Sequence, residues 1–519
     1  MDTTYFGSIG RAQGSEHVER TAPIDGAPGG HDAGRDRGDR GHPRPSGETL
    51  AQQSNRVFLG LNQQLADSSL ATRGTWILQW VGLSADNANM AYLAKNTDGS
   101  NEFAVVIRGT AASVTDILED LDVGTVVPFT AVGSPPSPVS VSKGAMEAFT
   151  QVITMSTVGV TLVQALTDAF CQAQPNPTVY VIGHSLGGCV ATMVAPYLKA
   201  QPWPDTTPQF ALYTFAAPTA GGSDFAAYVN SVDWVANERY YNAYDLVPQA
   251  WTSLEDAKKW YPDPPGPAAD DDVTGIISAI AALPGPNVYE QPGDAFPLND
   301  NYGSNGSYDP SVVKKSLQDF MSQVAFQHAN STYLGLLGAP DVPSGPVVTT
   351  ISPSAGAAGT EVTITGSGFG AGTTVDFGTV PCPRFGVSSD GTQITAYAPE
   401  GVGVVAVRVT TFLGTSPAVL FGQFAYGGPA PVAVTGISPD SGWTKTSVTI
   451  TGVNFSSSAK VYFGDKAAES VQVTPPHQIV ATAPAPSIGL GKPMTVNVTV
   501  LSDGYSSPAS PADEFSYKR

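Results

Sequence analysis

The chain has 519 residues, a formal net charge of -20 at pH 7, 13% charged residues, 55 glycines and 43 prolines. This length exceeds what one hydrophobic core organises, so we expect several domains, and the abundant glycine and proline indicate that part of the chain is all-β. The acidic balance opposes binding to nucleic acid and to anionic membrane surfaces, since phosphate recognition needs clustered Lys and Arg. The three cysteines have no metal-binding spacing, and no apolar run reaches transmembrane length.

Residues 1–50 are predicted to be a disordered leader. They include DGAPGGHDAGRDRGDRGHPRPSG, from Asp25 to Gly47, which is rich in Gly, Asp, Arg and Pro and offers almost nothing to bury. Such a composition cannot offset the entropy that folding removes. The opening residues MDTTYFGSIGRAQGSEHVER also contain no apolar core of signal-peptide length.

Residues 51–340 are predicted to form an α/β domain. Short continuous apolar runs such as FAVVIRG (Phe103–Gly109), VYVIG (Val179–Gly183) and FALYTFAAP (Phe210–Pro218) alternate with stretches of helical length. Continuous apolar strands separated by helices indicate a mostly parallel sheet that is covered on both faces.

The segment VIGHSLGG has the sequence of a nucleophile elbow, a sharp turn that presents a serine between a strand and a helix. Thr178–Ile182 is β-branched and apolar, as a strand should be, and residues 188–198 can continue as a buried helix. Gly183 and Gly187, two residues before and after Ser185, leave room for the tight turn. An ordinary serine in a turn would not need all three features, so we interpret Ser185 as a nucleophile.

A serine nucleophile needs a histidine that takes its proton and a carboxylate that orients this histidine. His184 belongs to the elbow itself, where we expect its ring to point away. His328, in QVAFQHANSTYLGLL, lies near the end of the domain, where a late loop would carry a general base. The other histidines lie in the predicted leader or in the C-terminal β-rich region: His17, His31, His42 and His477. Elimination therefore selects His328.

The acid should lie between the serine and the histidine and should follow a strand. Asp245, in RYYNAYDLVPQ, follows an aromatic, strand-like run and precedes Pro248, which cannot continue a ladder. The competing acids lie in helical or polar, Pro-rich sequence, where a solvated charge is the simpler interpretation: Asp224, Asp233, Glu238, Asp256 and Asp270 to Asp272. We therefore select Asp245.

An oxyanion hole requires N–H donors that point at the developing negative charge. The backbone N–H of Leu186 directly follows the nucleophile at the start of the predicted helix. Thr110 closes the strand that begins at Phe103, and its N–H and hydroxyl are candidates for the second donor. Ester hydrolysis by these groups requires neither a metal nor a cofactor.

Residues 76–337 resemble the class 3 lipase family, whose members have the α/β hydrolase fold. The motifs that carry the resemblance occur in order along this span: VVIRGT, DILEDL, SKGAMEAF, VIGHSLGG, YTFAAPTAGG, NAYDLVP and FQHANSTYL. The resemblance implies lipase activity and the following roles: nucleophile Ser185, acid Asp245, base His328, and oxyanion-hole donors Thr110 and Leu186.

Two segments are candidates for a lid over the site, and the sequence does not choose between them. The resemblance implies a lid after the oxyanion strand, in residues 111–141. The alternative is the long stretch 251–309, which contains the apolar run VTGIISAIAALPG, Val273–Gly285. As a cap helix this run would expose four side chains to lipid on opening, whereas as ordinary core it would simply pack: Ile276, Ile277, Ile280 and Leu283.

The region beyond Pro340 contains an internal repeat. The segment ISP at Ile351 recurs at Ile437, 86 residues later, and the segments GSGF and VDFG recur as GVNF and VYFG with the same offset. A shared offset across three signatures indicates duplication. Short alternating runs between Gly, Pro and Ser clusters predict two all-β sandwiches, residues 346–426 and 431–517, joined by the linker GGPAP, Gly427–Pro431.

Both repeats resemble the IPT/TIG family of Ig-like domains. The segments ISPSAGAAGTEVTITGSGFG and ISPDSGWTKTSVTITGVNF carry the resemblance, each with a following V-x-F-G strand and a terminal F-x-Y. The resemblance implies small sandwiches and names no ligand. A protein, a polymer or a surface all stay open as their partner.

Our leading hypothesis is a serine carboxylic ester hydrolase, a lipase that cleaves acylglycerol esters through an acyl-enzyme at a lipid–water interface. A second hypothesis keeps the triad and changes the ester to a phospholipid, a galactolipid or a polyester. A third, of a different class, is a binding or adhesion protein on an inactive hydrolase scaffold, although the retained triad argues against it. The Ig-like repeats and few charges favour a secreted or cell-surface location, whereas the missing signal peptide favours the cytoplasm. The location stays open, with a slight preference for the outside of the cell.

Overall fold

The computed structural model describes residues 48–85, 88–109, 121–131, 134–260, 270–299, 317–427, 432–486 and 494–518. They form two compact units, one ending at Pro343 and the other beginning at Ser344. Residues 1–47 of the predicted leader lie outside the described residues, and so do residues 428–431 of the predicted linker. Glu48 and Thr49 belong to the first unit, because Glu48 pairs with Arg56 at 2.8 Å and Thr49 caps the first helix. The predicted domain bounds themselves stay predictions.

Three amphipathic helices of the first unit begin behind a Ser or Thr cap. The side chains of Thr49, Ser142 and Thr161 each accept a hydrogen bond from the backbone N–H three residues later, which satisfies a donor that the helix cannot. In the described part of the first unit the helices are α1 (Leu50–Leu65), α2 (Lys143–Thr154), α3 (Leu162–Phe170), α4 (Leu186–Lys199), α5 (Ser223–Ser231), α6 (Ala257–Trp260), α7 (Asp271–Ala281), α8 (Leu317–His328) and α9 (Asn330–Leu336).

The strands of the first unit are mostly short and apolar. In the described residues they are β1 (Trp76–Leu83), β2 (Met90–Asn96), β3 (Glu102–Ile107), β4 (Val126–Ala131), β5 (Ser134–Ser142), β6 (Ser156–Thr157), β7 (Val160–Thr161), β8 (Thr178–His184), β9 (Gln209–Phe215), β10 (Ala236–Tyr241) and β11 (Asp294–Pro297). Seven of them form one sheet in the order β1-β2-β3-β8-β9-β10-β11. From β3 to β11 the neighbours are parallel, whereas β1 and β2 add an antiparallel edge.

The main core lies between this sheet and the helices that cover it. Val105, Val181 and Leu212 are register partners on β3, β8 and β9, and all three are buried. Helix α4 contacts β3, β8 and β9 and buries Val190 and Met193 in the same cluster. Each such side chain contributes roughly 1.5–3 kcal/mol by leaving water. Because neighbouring strands are parallel, their carboxyl ends meet at one edge, where open α/β sheets carry their sites.

A smaller cluster, which we call the satellite core, joins α7 and α8 to the loop after β10. Phe320 and Val324 of α8 and Val273 and Ile277 of α7 are buried in it. The other buried members follow the strand β10 or belong to α6: Leu246, Val247, Ala250, Leu254 and Ala257. The satellite core therefore supports α8, the helix that ends at His328.

The second unit is entirely β apart from short 3₁₀ turns in the residues that the structure describes. Its first sandwich contains β12 (Val347–Ser352), β13 (Ala355–Gly356), β14 (Glu361–Ser367), β15 (Thr374–Phe377), β16 (Val380–Pro381), β17 (Phe385–Val387), β18 (Gln393–Tyr397), β19 (Gly403–Thr411), β20 (Gly414–Thr415) and β21 (Gln423–Tyr426). Its second contains β22 (Ala433–Ser438), β23 (Ser441–Gly442), β24 (Ser447–Val453), β25 (Lys460–Phe463), β26 (Lys466–Ala467), β27 (Ser470–Thr474), β28 (Gln478–Thr482), β29 (Met494–Ser502), β30 (Tyr505–Ser506) and β31 (Glu514–Tyr517).

The two sandwiches have the same topology. The sheet β12-β14-β18-β17 corresponds to β22-β24-β28-β27, and β13-β21-β19-β15-β16 corresponds to β23-β31-β29-β25-β26. Each core contains an edge-to-face phenylalanine pair between corresponding strands, with ring centroids 5.4 and 5.3 Å apart. The predicted fold class, an α/β hydrolase with a mostly parallel sheet followed by two Ig-like sandwiches, is confirmed.

In the part of the chain that the structure describes, none of the helices combines the length and the hydrophobicity that a membrane crossing requires.

Candidate active site

Ser185 lies at the turn between β8 and α4 with φ 57° and ψ -133°, a conformation that residues with side chains rarely adopt. The turn is held by backbone hydrogen bonds. The Ser185 N–H donates to the Phe215 carbonyl at 2.9 Å, and the Ser185 carbonyl accepts from the N–H groups of Gly188 and Cys189. Helix α4 therefore begins directly after the serine, two residues earlier than predicted.

The two glycines of the elbow are required by close backbone contacts. A Cβ at Gly183 would lie 2.2 Å from the Gly187 carbonyl oxygen, and a Cβ at Gly187 would lie 2.2 Å from the Ile107 carbonyl oxygen. Any side chain at either position would force β3, β8 and α4 apart. The sequence prediction that these glycines make room for the turn therefore has a direct geometric basis.

The structure brings the three predicted side chains Ser185, His328 and Asp245 together. His328 Nε2 lies 2.8 Å from Ser185 Oγ, and His328 Nδ1 lies 2.8 Å from Asp245 Oδ2. All three side chains are buried, and Asp245 is wholly so. Since a carboxylate only accepts hydrogen bonds, Nδ1 carries the proton, which leaves Nε2 free to accept from the serine hydroxyl.

The Asp245 carboxylate has two further donors. The Tyr333 hydroxyl donates to Oδ2 at 2.8 Å, and the Val247 N–H donates to Oδ1 at 3.0 Å. Tyr333 is itself fully buried on α9. Sequence reasoning missed it, although it lies inside the motif FQHANSTYL, where no role was assigned to it.

The His184 ring does not point away from the site, contrary to expectation. Its centroid lies 5.0 Å from that of His328 and 5.4 Å from that of Tyr333, because the end of α8 and the start of α9 pack against this end of β8. Burial, and next the electrostatic interaction with His328, hold the pKa of His184 well below its ordinary value. His184 is therefore a neutral neighbour of His328 near pH 7.

The competing acids have other surroundings. Asp224 accepts from the N–H groups of Ser140 and Phe225, and Glu238 accepts from the Tyr240 hydroxyl. Asp256 pairs with Lys259. The others are exposed: Asp233, Asp270, Asp271 and Asp272. The exposed acids agree with the solvated charge that the sequence suggested, whereas Asp224, Glu238 and Asp256 have partners within the protein.

Of the two predicted oxyanion donors, the structure describes one. Leu186 is the first residue of α4, where backbone N–H groups have no intrahelical acceptor and the helix dipole is positive. Thr110 lies outside the described residues. Its neighbour Gly109 runs against the elbow, since a Cβ there would lie 2.7 Å from the His184 carbonyl oxygen.

Neither predicted lid segment is described completely. Within residues 111–141, the hairpin of β4 and β5 packs into the main core through Phe129 and Val141, whereas residues 110–120 and 132–133 lie outside the description. Within residues 251–309, Ile277 is buried in the satellite core, Ile276 and Ile280 are partly buried against it, and Leu283 is 43% exposed. Phe129, Val141 and Ile277 thus pack as core, whereas Leu283 is exposed.

Cys189 is a second nucleophilic side chain close to the elbow. Burial raises the pKa of the Cys189 thiol, one turn along α4, to about 12, so this thiol stays protonated. Among the described residues no three His, Cys, Asp or Glu side chains cluster as they would around a metal ion.

Comparisons with known proteins cover both units. Residues 104–254 match the Lipase (class 3) family, and residues 346–421 and 431–517 match the IPT/TIG domain. The secreted mono- and diacylglycerol lipase 1 of Fusarium solani is 40% identical over 67 residues, which are 13% of this chain and 19% of that protein. The chain thus spans about a fifth of that relative's length.

Two solved structures illustrate the similarity of the first unit to lipases. M37 lipase is 21% identical with a TM-score of 0.45, over 56% of this chain and 94% of that chain. The native Rhizomucor miehei lipase propeptide complex is 23% identical with a TM-score of 0.30, over 43% of this chain and 72% of that chain. The chain carries a class 3 lipase segment followed by two IPT/TIG domains, because its residues match the models of these two families. These matches confirm both resemblances.

Proposed function

We propose that the first unit is a serine carboxylic ester hydrolase in which Ser185, His328 and Asp245 form a catalytic triad. The observation that carries the proposal is the pair of 2.8 Å contacts that joins the Ser185 hydroxyl to His328 and His328 to the Asp245 carboxylate. The class 3 lipase match over residues 104–254 supports the same activity. A histidine held by a buried carboxylate is what converts a weakly nucleophilic hydroxyl into an effective one.

Acylation begins when Ser185 Oγ attacks the ester carbonyl carbon and its proton passes to His328 Nε2. The new imidazolium is stabilised by the Asp245 carboxylate, while the N–H of Leu186 and the N–H and hydroxyl of Thr110 hold the oxyanion. When the tetrahedral intermediate collapses, the C–O bond to the alcohol breaks and His328 returns the proton to the leaving alcohol. The product is an ester between the acyl group and Ser185.

Deacylation repeats these steps with water. His328 Nε2 takes a proton from a water molecule as that water attacks the acyl-enzyme carbonyl. The second tetrahedral intermediate uses the same oxyanion donors. Its collapse breaks the bond to Ser185 Oγ, which regains its proton from His328, and the carboxylic acid is released.

For the substrate we propose acylglycerols. The fungal relative is named a mono- and diacylglycerol lipase, and the matched family is one of lipases. The net charge of -20 repels anionic headgroups, so it favours a neutral glyceride over an anionic phospholipid. Galactolipids and polyesters are the remaining alternatives, because they are also uncharged esters.

Ser185 and His328 are buried, and we propose that part of the chain moves aside when an ester binds. We propose a lipid–water interface as the place where this happens. Contact with apolar surface compensates the exposure of apolar side chains that such a movement causes. For the location we propose the outside of the cell, supported by the name of the fungal relative, a secreted lipase.

The test is a series of p-nitrophenyl esters from acetate to palmitate, with an emulsified triacylglycerol as the second type of substrate. We expect Ser185→Ala to lower kcat by at least about a thousandfold, because the nucleophile of the triad is lost. Ser231→Ala, which removes the hydroxyl of an exposed serine at the end of α5, is the matched control and should keep full activity.

Preference for long chains and for the emulsion supports a lipase, whereas activity confined to short soluble esters would make the protein an esterase. Equal hydrolysis by wild type and Ser185→Ala would remove the triad. An intact fold without activity on any ester would favour the binding-protein hypothesis instead.

A further inference from the structure

Asn242 lies between β10 and Asp245 and is fully buried. Its side-chain Oδ1 accepts from the Tyr244 N–H at 3.0 Å, and its backbone carbonyl accepts from the Asp245 N–H at 3.0 Å. A side-chain oxygen that binds the N–H two residues later makes the chain turn locally. Asn242 therefore shapes the loop from which the Asp245 carboxylate projects.

The other end of the same amide reaches the helix of His328. Asn242 Nδ2 donates to the backbone carbonyl of Gln327 at 3.1 Å and to its side-chain Oε1 at 2.7 Å. The orientation of the amide is determined by its surroundings, because Oδ1 must face the Tyr244 N–H and Nδ2 must face the carbonyl. Gln327 directly precedes His328, so this hydrogen-bonded pair joins the acid loop to the residue beside the base.

The backbone N–H of Asn242 completes the connection. It donates to the Tyr333 hydroxyl oxygen at 2.9 Å, and that hydroxyl donates to Asp245 Oδ2. The polar groups of this one residue thus contact its own loop, the end of α8 and the middle of α9. Asn242 hydrogen-bonds directly to the backbone N–H of Asp245, whereas it acts on the His328 ring and on the Asp245 carboxylate through Gln327 and Tyr333.

We propose that Asn242 is a positioning residue: it ties the loop of Asp245 to the helix end of His328 and so holds these two side chains at hydrogen-bonding distance. The inference rests on the proposed ester hydrolysis. Proton transfer at Ser185 depends on the direction of the His328 ring, and a shift of about 1 Å in a catalytic group can lower a rate roughly a hundredfold.

The principal variant is Asn242→Asp, which keeps the size of the side chain and the acceptor for the Tyr244 N–H. It replaces the donor to Gln327 with a carboxylate that faces two carbonyl oxygens. Gln327→Met is the milder variant, because it removes the 2.7 Å hydrogen bond and keeps the one to the backbone carbonyl.

The chain offers a matched control in Asn96. This buried asparagine also accepts, through Oδ1, from the N–H two residues later, and it also donates through Nδ2, in its case to Glu102. It lies at the end of β2, beside the start of β3, and hence at the edge of the sheet opposite the elbow. Asn96→Asp makes the same chemical change far from the site.

Hydrolysis of p-nitrophenyl butyrate is measured for each variant, and active sites are counted by complete reaction with diethyl p-nitrophenyl phosphate. We expect the kcat per titrated site to fall at least about tenfold in Asn242→Asp and about threefold in Gln327→Met, with KM unchanged within about twofold. Asn96→Asp should at most reduce the number of titrated active sites. Its kcat per titrated site should equal that of the wild type.

The inference is overturned if Asn242→Asp and Gln327→Met only reduce the number of sites and keep the wild-type kcat per site, or if Asn96→Asp lowers kcat per site as much. Should Asn242→Asp give no titratable sites, Gln327→Met decides alone by the same criterion. Failure of the proposed function is distinguishable, because in that case the wild type itself would not hydrolyse the ester.

Discussion

Ser185 adopts a backbone conformation that costs on the order of 1–3 kcal/mol for a residue with a side chain. Such strain persists only where surrounding contacts determine the chain path. Here the Phe215 carbonyl holds the Ser185 N–H, and the first turn of α4 holds the Ser185 carbonyl. The strain orients Oγ toward His328 Nε2, where the sequence pattern of an elbow predicts a nucleophile.

The residues of the site differ in how far the sequence could predict them. Ser185, His328 and Asp245 could be proposed because few histidines and one elbow limit the choice, and their catalytic roles stay predictions. Tyr333 and Asn242 could not be proposed, since the hydrogen bonds that join them to each other, to Asp245 and to Gln327 span 85 to 91 residues and leave no local pattern. The prediction that the His184 ring points away was wrong for the same reason, because tertiary contacts determine the orientation of this ring.

The depressed pKa of His184 predicts how the stability of the first unit depends on pH. Below about pH 6.5, the ordinary histidine value, the unfolded chain binds a proton at this residue that the folded chain resists. The free energy of unfolding is therefore lost as the pH falls below this value, by up to about 1.4 kcal/mol per pH unit from this group. His184→Gln should have a shallower slope between pH 6.5 and pH 5.

Urea unfolding followed by tryptophan fluorescence measures this slope, because Trp443 is the one tryptophan of the sequence beyond residue 344. His477→Gln, in the second unit, serves as the control and should leave the slope unchanged. An equal slope in wild type and His184→Gln would mean that His184 is protonated in the folded chain.

At the scale of elements, the unit of β8, turn and α4 is the part that local sequence predicts best. The strand and the helix were predicted within two residues of their observed ends, Thr178–His184 and Leu186–Lys199. Strand, turn glycines and helix are consecutive, so each requirement is visible within one short window. The apolar run at Val273 is different, because a helix that covers a site and a helix that belongs to a core can have the same composition.

The satellite core predicts that α7 is a support for α8 rather than a free cap. Ile277→Ala should lower the free energy of unfolding of the first unit by about 2–4 kcal/mol, since it leaves a cavity in the satellite core. Leu283→Ala, in the same apolar run but 43% exposed, should cost less than about 1 kcal/mol. Chemical unfolding of both variants measures the difference.

If both substitutions cost the same small amount, α7 would not be packed in solution, and the cap hypothesis for residues 251–309 would be favoured. A large loss in the free energy of unfolding for Ile277→Ala alone would instead indicate that α7 belongs to the core and that another segment forms the lid.

At the scale of the whole molecule, the chain consists of two units with separate cores and different architectures. Two features made the second unit predictable. Short alternating runs between Gly, Pro and Ser clusters begin after Pro340, and a repeat of 86 residues shows the same motifs twice, as duplication does. The substrate was less predictable. Acyl-chain and headgroup preferences depend on the shape of a pocket, to which distant segments contribute, and not on any motif.

The net charge of -20 bears on how the molecule meets its proposed substrate. Electrostatic attraction cannot bring it to an anionic lipid surface, so adsorption has to rely on apolar area. Adsorption through apolar area is expected equally for neutral glyceride droplets and for polyester surfaces.

The central claim is that Ser185 is an activated nucleophile, and covalent labelling tests it most directly. The full chain is incubated with diethyl p-nitrophenyl phosphate, and the modified residue is located by mass spectrometry of the intact protein and of its peptides. We expect a single diethylphosphoryl group on Ser185 and none on the Ser185→Ala variant. A label on another residue, equal labelling of the Ser185→Ala variant, or no label on the folded wild type would contradict it.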